Sequence, residues 1–145
     1  MILFPINYGE LLRAEFTRLT SRTWGQCTNA TDELLIVYGP KHERENSIFD
    51  TSPYLLEPGN TTPAHWDCDG FFVPANRAVL RRRQAQKGPL AIKFWDFRHF
   101  RVRKHGHSVY QSGWDNGSFE PSQINWAIPV LSYEEILKRA ESLTR

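Results

Sequence analysis

The sequence predicts an α+β fold, in which residues 1–145 form one compact domain with an antiparallel sheet covered by three helices. Two observations favour this fold. Apolar residues recur at helical spacing near both ends of the chain, and they alternate with basic residues over Arg98–Arg103, as in a half-buried strand. A length of 145 residues and a hydrophobic content of 40% are sufficient for a core that needs no metal or disulfide.

Two terminal helices are predicted from capping boxes. Asn7 and Glu10 stand three positions apart before an amphipathic stretch, which predicts a helix over residues 8–20. Ser132 and Glu135 repeat this spacing near the C-terminus and predict a final helix. The expected buried stripe of the final helix is Ile136, Leu137, Ala140 and Leu143.

A middle helix is predicted over residues 75–87. The segment contains good helix formers and basic residues near its end, and Gly88-Pro89 follows as a stop signal. A strand over residues 78–84 is the competing interpretation.

The remaining regular structure is predicted as strands, because short runs rich in β-formers lie between turn residues. Pro53 is expected to confine its strand to a sheet edge, and Gly106 is expected to form a hairpin turn. The predicted strands are Glu33–Tyr38, Ile48–Leu56, Gly70–Pro74, Leu90–Trp95, Arg98–Arg103, Ser108–Gln111 and Gln123–Val130.

The composition indicates a cytoplasmic protein with no membrane partner. The N-terminal residues lack the basic and apolar regions of a signal peptide, and no apolar run approaches the roughly 20 residues of a membrane span. Only Cys27 and Cys68 are present, so no disulfide framework is expected, and Cys68 is interpreted as a small packed residue.

Positive charge is concentrated in residues 70–110, which contain 10 basic side chains and one acidic side chain, Asp96. Such a block projects a local positive field, which predicts an anionic partner: nucleic acid, a nucleotide or other phosphate-bearing ligand, or an acidic protein. Interleaved aromatic residues would suit base stacking. The alternative is a solvated face whose charges pair with the acidic N-terminal half. The candidate anion-binding residues are Arg77, Arg81, Arg82, Arg83, Lys87, Arg98, Arg101, Arg103 and Lys104.

A second candidate site lies in residues 59–74, where His65, Asp67, Cys68 and Asp69 stand together. His65, Asp67 and Asp69 are the candidate catalytic residues. The spacing His65-x-Asp67, with Gly59 six positions earlier, resembles the first half of a cupin-type iron site.

The resemblance implies a divalent metal held by His65, Asp67 and a distal histidine. His107 is the third ligand of choice, with His99 and His105 as alternatives, and Arg101 or Arg103 would meet a carboxylate co-substrate. Without a metal, the same residues are ordinary hydrogen-bonding loop residues.

Three functions therefore remain open. The first is a small binding protein that uses the basic block at residues 77–104. The second is a metal-dependent enzyme centred on His65 and Asp67, and the third is an inhibitor or immunity-type protein that acts through its surface.

Overall fold

The computed structural model describes residues 2–3, 25–40, 51–64, 66–95 and 98–143. The helix predicted over residues 8–20 lies outside these ranges. Within them the chain forms two β-sheets and one α-helix. The strands are β1 (Ile2–Leu3), β2 (Gln26–Asn29), β3 (Leu35–Pro40), β4 (Thr51–Leu56), β5 (Gly70–Val73), β6 (Ala78–Arg81), β7 (Gln84–Lys87), β8 (Leu90–Lys93), β9 (His99–Lys104), β10 (Val109–Gln111) and β11 (Gly117–Phe119), and the helix is α1 (Tyr133–Leu143).

The described chain is mostly β, so the predicted α+β class is wrong. One sheet has six strands in the order β1-β4-β3-β5-β8-β11, and the other has five in the order β2-β9-β10-β6-β7. The two sheets pack face to face as a sandwich. The pairing is also mixed rather than antiparallel, because β1 with β4, β2 with β9 and β6 with β10 run parallel.

The six-stranded sheet is buried on both faces. Leu35 and Val37 point into the core between the sheets, whereas Ile36 and Tyr38 point toward a second core beneath α1. Successive side chains of a strand alternate between faces, so a strand covered on both sides reads as a continuous apolar run. This explains why the strand predicted over Glu33–Tyr38 is confirmed as β3.

The middle helix predicted over residues 75–87 is wrong, because that segment forms the hairpin of β6 and β7. Val79 is fully buried between the sheets, and Arg82 and Arg83 form the turn with φ values of 48° and 70°. A two-residue hairpin turn needs positive φ, which Asn-Gly usually supplies. Arg-Arg carries no such signal, so helix propensity misled the prediction.

In the C-terminal region the predicted strand is wrong and the predicted helix is confirmed. Residues 123–130 form no strand; they lie on the outer side of the six-stranded sheet, where the Tyr38 hydroxyl donates to the Ala127 carbonyl at 2.6 Å. The helix begins with the predicted capping box, in which Ser132 and Glu135 exchange hydrogen bonds of 3.3 and 3.2 Å. Strand β2, which ends at Asn29, is not among the predicted strands.

Pro53 also departs from expectation, since β4 lies between β1 and β3 rather than at an edge. The pairing of β1 involves only Tyr54 and Leu55, so the missing N–H of Pro53 falls beyond that short ladder. On the opposite side of β4, Pro53 stands across from Tyr38 of β3.

Cys27 and Cys68 form a disulfide between β2 and the loop that precedes β5. The expectation of no disulfide is therefore wrong, although Cys68 is buried, as a packed residue would be. The two cysteines are 41 residues apart in sequence, and only the paired sheets bring them together. Among the described residues, no helix is long and apolar enough to cross a membrane.

Candidate anion-binding face

All nine candidate anion-binding residues lie on the five-stranded sheet or its connections, in the β6–β7 hairpin and around β9. The structure divides them into two groups. Arg77, Arg81 and Lys104 form ion pairs with carboxylates of this chain. The other six form no ion pair with the described residues, and we call them the cationic surface: Arg82, Arg83, Lys87, Arg98, Arg101 and Arg103.

Arg77 belongs to a buried cluster around Glu33, which lies two residues before β3. The guanidinium donates twice to the Glu33 carboxylate, at 3.1 and 2.6 Å, and the Tyr110 hydroxyl donates to the same carboxylate at 2.6 Å. Lys104 lies 3.5 Å from this carboxylate and 3.1 Å from that of Asp32. The cluster connects the two sheets, so Arg77 and Lys104 have a structural role.

The electrostatics of Glu33 agree with this role. Burial alone would raise the pKa of Glu33, but hydrogen bonds from Arg77 and Tyr110, together with the charges of Arg77 and Lys104, outweigh it and lower the pKa. The hydrogen bond to Glu33 in turn raises the pKa of Arg77. Both groups are therefore charged at neutral pH, and their charges compensate each other.

Arg81 forms a second structural pair, with Asp115. Two parallel hydrogen bonds of 2.9 and 2.7 Å join the groups, and a third of 2.8 Å runs from Arg81 to the Ser118 hydroxyl. The Asp115 side chain is only 7% exposed. This pair fastens β6 to the segment that leads into β11.

The cationic surface is organised by β9, in which buried and exposed residues alternate. Phe100 and Val102 enter the core, whereas His99, Arg101 and Arg103 are exposed on the outer face of the five-stranded sheet. The alternation predicted for this segment is therefore confirmed. Side chains at positions i and i+2 of a strand are about 6.8 Å apart, so Arg101 and Arg103 form a short row of charges.

The turn between β6 and β7 carries two further cations beside the same sheet. Arg103 stands opposite Gln111 of β10, and Tyr110 of β10 stands opposite Val79 of β6, the strand that leads into this turn. Only β10 lies between β9 and β6, which corresponds to a lateral separation of about 10 Å. Arg82 and Arg83 are both exposed at the tip.

The comparisons with known proteins add no relative. No protein-family model, no curated protein and no solved structure matches this chain.

The second candidate site is only partly described. His65 lies outside the described residues. Asp67 and Asp69 lie in the loop before β5, where the Asp69 backbone accepts from Phe94 and donates to Tyr38, at 2.7 Å each. Cys68 is held in the disulfide. The described part of this stretch thus contributes to the join between the sheets.

The histidines proposed as distal ligands lie on or beyond β9. His99 begins that strand, and its Nε2 lies 2.6 Å from the Thr28 hydroxyl; desolvation and the charge of Arg101 lower its pKa. His107 and Asp67 lie at opposite ends of the five-stranded sheet. His107 is in the turn after β9, whereas Asp67 precedes Cys68, whose N–H donates to the carbonyl of Gly25, directly before β2. Across the ranges that the structure describes, no three His, Cys, Asp or Glu side chains are placed to hold a metal ion.

An open cleft of about 550 Å³ lies at the His107 end of the cationic surface. Its charged residues are Asp32, Arg103 and Lys104. The charges of Asp32 and Lys104 neutralise each other in an ion pair. Its full lining is Ala30, Thr31, Asp32, Arg103, Lys104, Gly106 and His107.

Sequence reasoning missed the carboxylates that divide the basic block. Glu33 is at the start of a predicted strand, and nothing in the sequence marks it or Asp115 as an arginine partner. Both are far from their partners in sequence, by 44 and 34 residues. Pairing of this kind follows from the topology of the sheets alone.

Proposed function

We propose that this chain is a nucleic-acid-binding protein and that its cationic surface contacts the phosphates. The observation that supports the proposal is the division of the basic block. Three cations are partly buried and paired, whereas six are exposed on one sheet and its connections without a described carboxylate partner. Clustered cations of this kind attract a polyanion and release its counterions.

The turn at Arg82 and Arg83 supports the same function. A residue other than glycine with positive φ carries a strain of roughly 1–2 kcal/mol. Two arginines at an exposed tip also repel each other. Asn-Gly would form the turn with less strain, so charge at this tip is favoured by something other than stability.

Binding is tested by fluorescence anisotropy with labelled single-stranded and duplex DNA and RNA, over a range of salt concentrations. We expect the logarithm of the binding constant to fall linearly with the logarithm of the salt concentration, because each phosphate contact releases counterions. Absence of binding even at low salt would refute the proposal.

The variant Arg101→Gln/Arg103→Gln tests the location of the site. If both side chains contact phosphates of a single strand, the salt slope should decrease by about 1.4, at about 0.7 for each contact. The matched control is Lys138→Gln/Arg139→Gln, which removes the same charge from exposed positions of α1, beyond the six-stranded sheet. Equal losses in both variants would indicate a net-charge effect and would contradict a site on β9.

An acidic protein is the competing partner. If the partner is an acidic protein, this chain should bind polyglutamate with an affinity comparable to that for oligonucleotides of the same charge. We expect the oligonucleotides to bind more tightly than polyglutamate. Tighter binding of polyglutamate would indicate that the partner is an acidic protein and not a nucleic acid.

The cytoplasmic location remains a prediction, and the disulfide argues against it, because cytosolic thiols are kept reduced. Alkylation of free thiols in intact cells, followed by mass spectrometry, tests the location. Alkylated Cys27 and Cys68 would support a reducing compartment, and an intact bridge would oppose it.

A further inference from the structure

Two tryptophans near the cationic surface are strongly exposed. Trp114 is 80% exposed and Trp95 is 49% exposed, whereas Trp66 is buried and Trp126 packs on Tyr38 with ring centroids 4.9 Å apart. Single exposed apolar residues are common on protein surfaces and need no explanation. Two large aromatic side chains at one place do call for one.

One carbonyl group links the Trp95 side chain to the backbone beside Trp114. The Trp95 indole Nε1 donates to the backbone carbonyl of Asp115 at 3.1 Å, and Trp114 directly precedes Asp115 in the chain. The Asp115 carboxylate is fixed by the Arg81 guanidinium and by the Gly117 N–H, at 2.9 Å. Trp95 and Trp114 are therefore both attached to a rigid and partly buried residue, Asp115.

The same support leads directly to the cationic turn. Arg81 immediately precedes Arg82 and Arg83, so the aromatic pair and the turn are attached to opposite sides of the Arg81–Asp115 ion pair. That ion pair is neutral overall, and among the described residues Arg82 and Arg83, which follow it in the chain, form no ion pair.

We propose that Trp95 and Trp114 stack on unpaired bases while Arg82 and Arg83 hold the adjoining phosphates, so that the bound nucleic acid is single-stranded. The inference rests on the proposed function and narrows its ligand class. Aromatic faces stack on any unpaired base, and bases within a duplex are already stacked on each other. Charge complementarity at the turn favours this ligand over an uncharged aromatic or sugar surface.

The test separates stacking from charge. The probes are a labelled single-stranded DNA of mixed sequence, an abasic oligomer with the same number of phosphates, the corresponding duplex, and heparin as a competitor of equal charge. We expect wild-type protein to prefer the single strand to both the abasic oligomer and the duplex. Trp114→Ala should weaken single-strand binding by between about 5-fold and about 150-fold, the range for one stacked base. Binding to the abasic oligomer should change by less than about twofold, since no base contributes to it.

The controls keep the result interpretable. Trp114→Phe should retain most of the affinity, because phenylalanine also stacks on a base. Val130→Ala truncates another strongly exposed apolar residue, 71% exposed and far from Trp114 in sequence, and should leave binding unchanged. Because Trp114 is largely solvated, its variants should keep the wild-type melting temperature. Quenching of tryptophan fluorescence by the single strand, reduced in Trp114→Phe, gives a second readout.

Each outcome supports or overturns a specific statement. Equal affinity for the single-stranded and abasic probes, or equal losses on both in Trp114→Ala, would overturn the stacking inference and leave the phosphate-binding proposal intact. Heparin that displaces the single strand as effectively as unlabelled DNA would also overturn it. Absence of binding to every oligonucleotide would overturn the proposed function and the stacking inference together.

Discussion

The disulfide between Cys27 and Cys68 should contribute about 4 kcal/mol to the free energy of unfolding. The cross-link closes a loop with a sequence separation of 41 residues. In the chain-entropy account, closing a loop of n residues removes about 2.1 + 1.5R ln n cal/mol/K from the unfolded ensemble, which gives about 4 kcal/mol at 25 °C for this length.

The folded state should survive loss of the bridge, because other bonds hold the same junction. The Cys68 N–H donates to the Gly25 carbonyl at 3.0 Å, and the Thr62 N–H donates to the Cys27 carbonyl at 2.9 Å. The Thr62 hydroxyl accepts from the Cys27 N–H at 2.9 Å. Reduction is therefore expected to act mainly through the unfolded chain.

Urea unfolding with and without reductant measures this contribution. We expect the unfolding midpoint to fall on reduction by an amount that corresponds to about 4 kcal/mol, with oligonucleotide affinity preserved in the absence of urea. Cys27→Ala/Cys68→Ala should resemble the reduced protein and should not respond to reductant. Equal midpoints for oxidised and reduced protein, with thiol titration confirming both states, would refute the loop-closure argument.

Three further predictions concern stability and the cationic turn. Glu33→Gln should lower the free energy of unfolding by about 3–5 kcal/mol at neutral pH, because it leaves Arg77 without its carboxylate partner. Since folding lowers the pKa of Glu33, the stabilisation by its carboxylate is complete above the ordinary value of 4.5 and is lost as the pH falls through the folded value. The stabilities of wild type and variant should therefore converge in acid. Gly39→Ala should lower the free energy of unfolding by about 1–3 kcal/mol, because a Cβ at this position would overlap the Trp66 ring. In the double variant Gly39→Ala/Trp66→Leu, measured by thermal unfolding, a loss of stability smaller than the sum of the two single losses would establish the contact. Arg82→Asn/Arg83→Gly should raise the free energy of unfolding by about 1–2 kcal/mol while weakening nucleic-acid binding, and an unchanged affinity would contradict a phosphate contact at the turn.

Local patterns predicted the elements whose signals are local. The apolar run before Gly39 is β3, the capping box at Ser132 begins α1, and the alternation around Arg101 is the exposed and buried pattern of β9. In each case a few neighbouring residues are enough to define the structure. The turn at Gly106, with a φ value of 83°, belongs to the same class.

Elements that depend on distant partners could not be predicted in this way. Strand β2 is short and largely polar, and it exists because it pairs with β9, where Cys27 stands opposite Phe100. Strand β6 has the composition of a helix but places Val79 between the sheets beside β10. Tertiary contacts override propensity in both segments.

The division of the basic block gives salt two separate effects on this protein. The Arg77–Glu33 pair is nearly buried, with side chains 12% and 9% exposed, and dissolved ions screen buried pairs only weakly. The cationic surface is exposed, so its interaction with a polyanion should weaken steeply over the same range of salt. If the exposed arginines instead served mainly to offset the acidic half of the chain, added salt would lower the unfolding midpoint along with the affinity. Loss of binding at an unchanged midpoint would therefore distinguish a binding surface from one that stabilises the fold.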